Sequence, residues 1–125
     1  MQHKLITARI AARLAANGIA TRAAQAAGQP EPDHCPVLKI FNPYGRSTWL
    51  FTESDPDNSD WLFGLCDPGL GFPELGTQSR TELEACRINV GPFKFPLERD
   101  AHFSTDTPLS VFTANARSKG HIAND

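Results

Sequence analysis

The sequence predicts a single α+β domain, in which an antiparallel β-meander of about four strands is packed by an N-terminal helix and one or two short helices. Three observations support this fold class. An alanine-rich segment whose apolar residues have helical spacing opens the sequence. Short apolar runs with strand-like alternation follow, separated by turns that contain proline and glycine. The length of 125 residues is that of one domain.

The stretch from Ser47 to Asp67 is the clearest sheet signal. Two apolar runs, Thr48–Thr52 and Trp61–Cys66, are rich in the aromatic and β-branched residues that favour strands. They flank the polar connection Glu53–Asp60, whose proline, asparagine and serine favour turns. We therefore predict a hairpin with an acidic loop. Strict alternation along its first strand predicts that three side chains share one face: Trp49, Phe51 and Glu53.

The first 28 residues differ in composition from the rest and are predicted to form a helical arm, residues 1–28. Thr7 can cap the start of a helix, and Gly18, which follows an asparagine, can end it. Thr21 can then cap a second, weaker helical turn that Gly28 closes. A core domain over residues 37–114 and a flexible tail over residues 115–125 complete the predicted organisation.

Turn and cap signals define the remaining elements. The segment QPEPDHCP is a linker because its three prolines preclude a regular helix. The motif SRTE matches a capping box and predicts a short helix with Leu83 and Cys86 facing inward. Proline and glycine make the strand before it irregular, which favours an edge position. The other predicted elements are a strand over Val37–Phe41, the edge strand over Phe72–Gln78, a partly paired extended segment over Phe93–Phe103 and a helix over Pro108–Ala114.

Charge and cysteine content restrict the function classes. The net charge of −2 and the pI of about 6.0 argue against a nucleic-acid binder with a basic face. The three cysteines form no C-x-x-C motif, which argues against a structural zinc site, and their odd number, with no signal peptide expected, favours reduced thiols in a cytoplasm. No apolar run approaches the length of a membrane span, so we expect no membrane partner.

Acidic residues supply the main candidate site. Four of them lie in the hairpin loop, and an acid–base–acid triplet follows later in the sequence. We keep three interpretations: a solvated loop, an acidic surface for a basic protein groove, and, if the two segments converge, a site for a hard divalent cation. The candidate residues are Glu53, Asp55, Asp57, Asp60, Glu98, Arg99 and Asp100.

The later triplet has a further chemical interpretation. Alternation would place Glu98, Asp100 and His102 on one face, where a histidine beside carboxylates can act as a general base. No serine or cysteine occupies a nucleophile elbow, however, because G-x-S-x-G is absent. We expect instead that Arg99 forms an ion pair with a carboxylate of the hairpin loop. No catalytic residue, metal ligand or cofactor is therefore assigned.

Six short segments, taken in their order along the chain, resemble a family of short proteins of unassigned function. This family is carried mainly by conjugative plasmids and other bacterial mobile elements. The resemblance covers about residues 37–110, and the order and spacing of the segments make it specific. It implies a genetic setting, and it implies no activity, cofactor or catalytic residue. The segments are TWLFTESDP, WLFGLCD, PELG, SRTELEA, PLERDAHF and TPLS.

These observations lead to one functional hypothesis and two alternatives. We expect a non-enzymatic protein-binding protein of the bacterial cytoplasm, a counter-defence inhibitor of the anti-CRISPR or anti-restriction type. It would occupy a surface of a host defence protein or ribonucleoprotein complex, with no direct nucleic-acid contact. The alternatives are a metal-dependent enzyme acting on nucleic acid through Glu53, Asp55, Glu98 and Asp100, and a DNA-binding plasmid accessory that uses the arginines of the arm. Dimerisation through the arm is left open.

Overall fold

The computed structural model describes residues 4–123. It confirms the α+β class: a five-stranded antiparallel sheet with strand order β4-β3-β2-β1-β7 carries helices on both faces, and a separate β5–β6 hairpin lies outside this sheet. The first four strands form the predicted meander. The elements are α1 (Ala8–Ala26), β1 (Leu38–Phe41), β2 (Thr48–Ser54), β3 (Trp61–Asp67), β4 (Glu74–Ser79), α2 (Arg80–Ala85), β5 (Arg87–Val90), β6 (Phe93–Pro96), β7 (Glu98–Arg99) and α3 (Leu109–Lys119).

The sheet separates two hydrophobic cores. On one face, Phe51 and Leu62 pack with Leu14 of α1 and Leu83 of α2. On the other face, apolar side chains of β2 and β3 pack with α3; this cluster is formed by Leu50, Leu65, Leu109, Ala116 and Ile122. Burying both faces explains why the strands have apolar residues at consecutive positions as well as alternating ones.

Helix α1 is longer than predicted. Thr7 caps it as expected, and its side-chain oxygen accepts a hydrogen bond from Ile10 N at 3.2 Å. The predicted end at Gly18 is wrong, because the helix continues to Ala26. A β-carbon at position 18 would lie 2.0 Å from the carbonyl oxygen of Ser54. Gly18 is thus the point of close approach between α1 and β2, and Thr21 lies inside the helix instead of capping a second one.

A β-bulge in β2 alters the predicted faces of the hairpin. Phe51 pairs with Gly64, whereas Glu53 pairs with Phe63, so Thr52 is an extra residue in the ladder. Cross-strand partners share a face of the sheet. Glu53 therefore lies on the face of Phe63, and the prediction that it shares the face of Phe51 is wrong.

The C-terminal third departs most from the prediction. The chain after α2 forms the β5–β6 hairpin around Gly91 and Pro92, where the sequence predicted only a helix break and an extended segment. Helix α3 continues to Lys119 and ends at Gly120, which adopts the left-handed conformation with φ 79°. The predicted tail is therefore helical up to that point. Residues 1–3 of the predicted arm and 124–125 of the predicted tail lie outside the described residues.

Candidate functional site

The acidic loop is tied to helix α1. Arg22 Nη2 lies 3.3 Å from Asp55 Oδ1, and Arg22 Nη1 lies 2.8 Å from Asp57 Oδ2. Asp55 Oδ1 also accepts a hydrogen bond from Asp57 N at 2.8 Å, which closes the turn locally. One arginine thus faces two of the carboxylates predicted to bind a partner, so the loop presents less negative charge than its sequence implies.

Asp60 connects the acidic loop to helix α2. Its Oδ2 accepts a hydrogen bond from Ser79 Oγ at 2.6 Å. Its Oδ1 accepts from Thr81 N at 2.9 Å and from Thr81 Oγ1 at 2.6 Å. The Ser79 and Thr81 hydrogen bonds lower the pKa of the Asp60 carboxyl. This carboxylate therefore organises the start of α2 in addition to lying on the predicted surface.

Glu53 belongs to a hydrogen-bonded chain behind the loop. Thr21 Oγ1 donates to Glu53 Oε1 at 3.1 Å and lies 3.1 Å from His34 Nε2. Partial burial raises the pKa of the Glu53 carboxyl, although the Thr21 hydrogen bond and the nearby His34 oppose the shift. A glutamate at this position joins α1, the linker and β2, and the β-bulge directs it there.

The Glu98–Asp100 segment lies at the opposite edge of the sheet. Arg99 pairs with Ile40 of β1, and its Nη1 donates to the Leu5 carbonyl oxygen at 3.2 Å. The expected ion pair between Arg99 and the hairpin loop is therefore wrong. Within residues 4–123, Arg99 Nε is buried without a hydrogen-bond partner. The Arg99 side chain stabilises the chain before α1 and not the acidic loop.

Asp100 ends the strand instead of continuing it. Its Oδ1 accepts a hydrogen bond from His102 N at 3.0 Å, which forms a tight turn. The predicted common face of Glu98, Asp100 and His102 is therefore wrong, since that prediction required an extended backbone through His102. This turn does not assemble the general-base arrangement considered from the sequence.

The two acidic segments do not converge. Phe41 pairs with Thr48 on one side and with Glu98 on the other, so Glu98 is level with the start of β2. Glu53 lies near the end of β2, roughly 16 Å further along at about 3.3 Å per residue. No group of three or more histidine, cysteine, aspartate or glutamate side chains in the described part of the chain could hold a metal ion. The convergence that a divalent-cation site required is absent there.

Strand β4 forms an open edge of the sheet next to the acidic loop. Its partner is β3 on one side, and no strand pairs with the other side in the described chain. Large apolar side chains are exposed around this edge: Leu70 at 75% and Phe72 at 76% in the preceding turn, Leu75 at 41% in β4 and Trp61 at 42% in β3. Such a group of exposed apolar side chains is typical of a protein-interaction surface.

The sheet order confirms the predicted edge position of the strand before α2, whereas a second feature was not predicted from the sequence. A cavity of about 1130 Å³ opens between the β1–β2 turn, the β3–β4 turn and the end of α3. Lys39, Arg46 and Lys119 line it, together with the buried Asp67, whose carboxylate accepts hydrogen bonds from Gly69 N and Ile122 N. Lys39 and Arg46 both belong to the β1–β2 hairpin, whereas Lys119 lies 73 residues further along at the end of α3, and no spacing pattern indicates that it meets them.

Two of the three cysteines contact the hydrophobic core. Cys66 and Cys86 are partly buried against the α1-side core. Burial raises the pKa of the Cys66 thiol to about 11, so it is protonated at neutral pH.

Among residues 4–123, no helix has both the length and the apolar content needed to cross a membrane.

A family model matches most of the chain. The model of the DUF2958 family, described as a protein of unknown function, matches residues 5–123. The match includes α1 and α3 as well as the segments quoted from the sequence. No curated protein and no solved structure matches the chain. The chain belongs to the DUF2958 family of proteins of unknown function.

Proposed function

We propose that this protein is a non-enzymatic binding protein that captures an extended segment of a partner protein along strand β4. The observation that carries the proposal is the unpaired outer edge of β4, flanked by exposed apolar side chains. Strand addition to an exposed sheet edge is an established mode of peptide recognition, in which backbone hydrogen bonds supply affinity and side-chain contacts supply specificity.

The backbone of β4 has groups available for this pairing. At the end of the β3–β4 ladder, Arg80 N donates to the Asp60 carbonyl oxygen. Hydrogen-bonded and non-hydrogen-bonded pairs alternate in an antiparallel ladder. The Leu62–Gln78 and Gly64–Gly76 pairs are then hydrogen-bonded, and the amide groups of Leu75 and Thr77 point away from β3. An incoming strand would pair with these outward groups.

The surroundings of β4 indicate the chemistry of the partner. Leu75 pairs with Leu65 and Thr77 pairs with Phe63, on the same face of the sheet as Trp61, so the incoming strand would bring an apolar side chain to this face. Exposed Glu74 begins the strand, and the acidic loop adjoins its other end through the Asp60–Ser79 hydrogen bond. Negative groups at both ends favour a partner segment with flanking lysine or arginine residues.

We further propose that the partner is a nucleic-acid-binding defence protein or ribonucleoprotein complex of a bacterial host. The resemblance to proteins of conjugative plasmids and other mobile elements supports this setting, and the basic surface of such complexes is complementary to the acidic loop. The protein would then act in the bacterial cytoplasm as a counter-defence inhibitor of the anti-CRISPR or anti-restriction type. Inhibition would be steric, through occupation of the host surface. Asp55 and Asp57 would contribute to encounter with the partner.

A proline substitution in β4 tests the proposed edge. Thr77→Pro removes an outward amide while leaving the ladder to β3 intact, and proline is tolerated on edge strands at solvent-facing positions. Thr77→Ala is the matched control because it changes the side chain and keeps the amide. Wild-type protein and both variants are used to capture partners from a bacterial lysate, and urea unfolding verifies their folding. We expect capture of a nucleic-acid-binding protein by wild type and Thr77→Ala and its loss with Thr77→Pro. Equal capture by a folded Thr77→Pro would refute the role of β4.

An interference assay tests the counter-defence proposal separately. The chain is expressed in bacteria with an active CRISPR system and in bacteria with an active restriction system, and transformation by a targeted plasmid is measured. Wild type and Thr77→Ala should raise transformation in one of the two, and Thr77→Pro should not. Unchanged interference in both would refute the counter-defence role.

A double variant, Asp55→Asn with Asp57→Asn, tests the acidic loop. It should slow the association of this protein with the captured partner at low salt. The double variant leaves Asp60 intact because that residue also supports α2.

A further inference from the structure

The cavity at the end of α3 is built on the sheet face opposite α1. Lys39 pairs with Leu50, and Phe41 pairs with Thr48, which in turn pairs with Asp67, so these side chains share one face of the sheet. Residues 119–122 close the far side, and the Asp67 carboxylate holds them through the Ile122 amide at 3.0 Å. The cavity is therefore bounded by the sheet, the β3–β4 turn and the end of a helix, and no residue of β4 lines it.

The charges around this cavity are unbalanced. Lys39, Arg46 and Lys119 line it, and none of the three forms an ion pair or side-chain hydrogen bond within the described residues. The lining also has two carboxylates, Asp67 and Asp100, which accept backbone amides and keep their charge, but with Arg99 it has four cationic side chains, so the net charge of the lining is positive. In a chain with net charge −2, three unpaired cations around one cavity form a local positive site.

We propose that this cavity binds a small organic phosphate. Lysine and arginine are the side chains that bind phosphate groups, and unpaired ones lose no existing partner when a phosphate arrives. The volume of about 1130 Å³ can accommodate a molecule of nucleotide size. Half-buried Phe41 provides an apolar wall for the organic part. This ligand site goes beyond the proposed partner surface, because it uses none of the residues of the β4 edge or the acidic loop.

Calorimetric titration of the full chain tests the proposal. ATP and ribose 5-phosphate are the probes, and uncharged adenosine is the ligand control. We expect both phosphates to bind, with weaker binding at high salt, and adenosine not to bind. Lys39→Gln, Arg46→Gln and Lys119→Gln should each weaken ATP binding about tenfold, since each removes a charge-assisted hydrogen bond.

Matched charge variants outside the cavity complete the design. Lys94→Gln on β6 and Arg117→Gln on α3 remove the same charges from exposed positions that do not line the cavity. They should change ATP affinity by less than about twofold, because such exposed charges act only through the screened long-range field. Absence of phosphate binding at millimolar concentration, adenosine binding as tightly as ATP, or equal losses in cavity and control variants would each overturn the proposal. Failure of the β4 capture experiment leaves this result unaffected.

Discussion

The backbone of α1 at Gly18 lies directly against the carbonyl oxygen of Ser54 at the end of β2, where a β-carbon would lie 2.0 Å from that oxygen. Two further contacts join the same turn of α1 to the end of β2. Asn17 Nδ2 donates to the Thr52 carbonyl oxygen at 2.9 Å, and Thr21 Oγ1 donates to Glu53. The helix is thus fitted to the bulged end of β2 over one turn, and the missing side chain of Gly18 makes that fit possible.

Gly18→Ala should therefore destabilise the protein despite the preference of helices for alanine. The substitution gains about 1 kcal/mol of helix propensity, but a β-carbon at 2.0 Å from a backbone oxygen must move the helix away from the strand. We expect the free energy of unfolding to fall by about 2 kcal/mol in urea denaturation. Gly76→Ala is the control, since a β-carbon there would meet nothing within 4 Å. A Gly18→Ala protein as stable as wild type would show that the contact is dispensable.

Asp60→Ala should lower the urea midpoint at neutral pH by removing the acceptor for Ser79 and Thr81. The pKa of Asp60 is lowered from its ordinary value of 3.8, so its carboxylate stabilises the fold above that pH. This contribution is lost as the pH falls through the folded-state pKa. The midpoints of wild type and Asp60→Ala should therefore converge in acid, as followed by urea unfolding at a series of pH values.

Two comparisons make the Asp60 result specific. Asp60→Asn keeps an acceptor oxygen without the charge and should give an intermediate midpoint at neutral pH. Asp57→Ala removes an exposed ion pair with Arg22, and such pairs contribute about 1 kcal/mol at most. A constant difference between wild type and Asp60→Ala from neutral pH into acid would contradict the role assigned to the ionised carboxylate.

The sequence predicted the elements whose ends are determined by residues close together in the chain. The SRTE motif located α2, and Ser79 Oγ accepts the Glu82 amide at 3.2 Å as a helix cap does. Gly18 carried the same local signal as a helix end, but its role depends on a strand 36 residues away in sequence. The β5–β6 hairpin was missed because it packs outside the main sheet and lacks the alternating buried face by which strands are recognised.

The candidate sites were likewise predictable only where their residues lie close together in the sequence. The loop acids are adjacent in sequence, so their clustering was evident, whereas their engagement by Arg22 and by the start of α2 depends on the tertiary fold. The positive cavity was not predictable, since Lys39, Arg46 and Lys119 come from β1, a turn and α3. The net charge of the chain sums these positive charges with the acidic residues elsewhere, so it indicated only a mildly acidic protein.

The Cys66 thiol should react slowly with alkylating reagents in the native protein. Burial raises its pKa to about 11, so only about one molecule in a thousand carries the thiolate at pH 8. We expect mass spectrometry after brief iodoacetamide treatment at pH 8 to find Cys66 largely unmodified, with full modification in urea. Rapid native modification at this pH would mean that β3 opens on the timescale of the reaction.

Glu53→Gln should stabilise the protein at neutral pH. Because the pKa of Glu53 is raised above 4.5, the unfolded chain loses this proton at a lower pH than the folded chain does. The contribution of protonated Glu53 to the free energy of unfolding is therefore complete below pH 4.5, and it is lost as the pH rises through the folded-state pKa. Glutamine keeps the acceptor for Thr21 and does not ionise. Since Glu53 is only partly buried, solvent screening keeps the expected gain at pH 7 small.

The difference between the two proteins isolates Glu53 from other titrating groups. Urea unfolding of wild type and Glu53→Gln at intervals from pH 4 to pH 8 should give a difference that grows with pH. Thr21→Val provides the complementary test: it removes the hydroxyl that donates to Glu53 Oε1, and the pKa of Glu53 should rise further. The pH dependence should then be steeper in Thr21→Val than in wild type. A difference between wild type and Glu53→Gln that is independent of pH would show that the carboxylate ionises equally easily in the folded and unfolded chains.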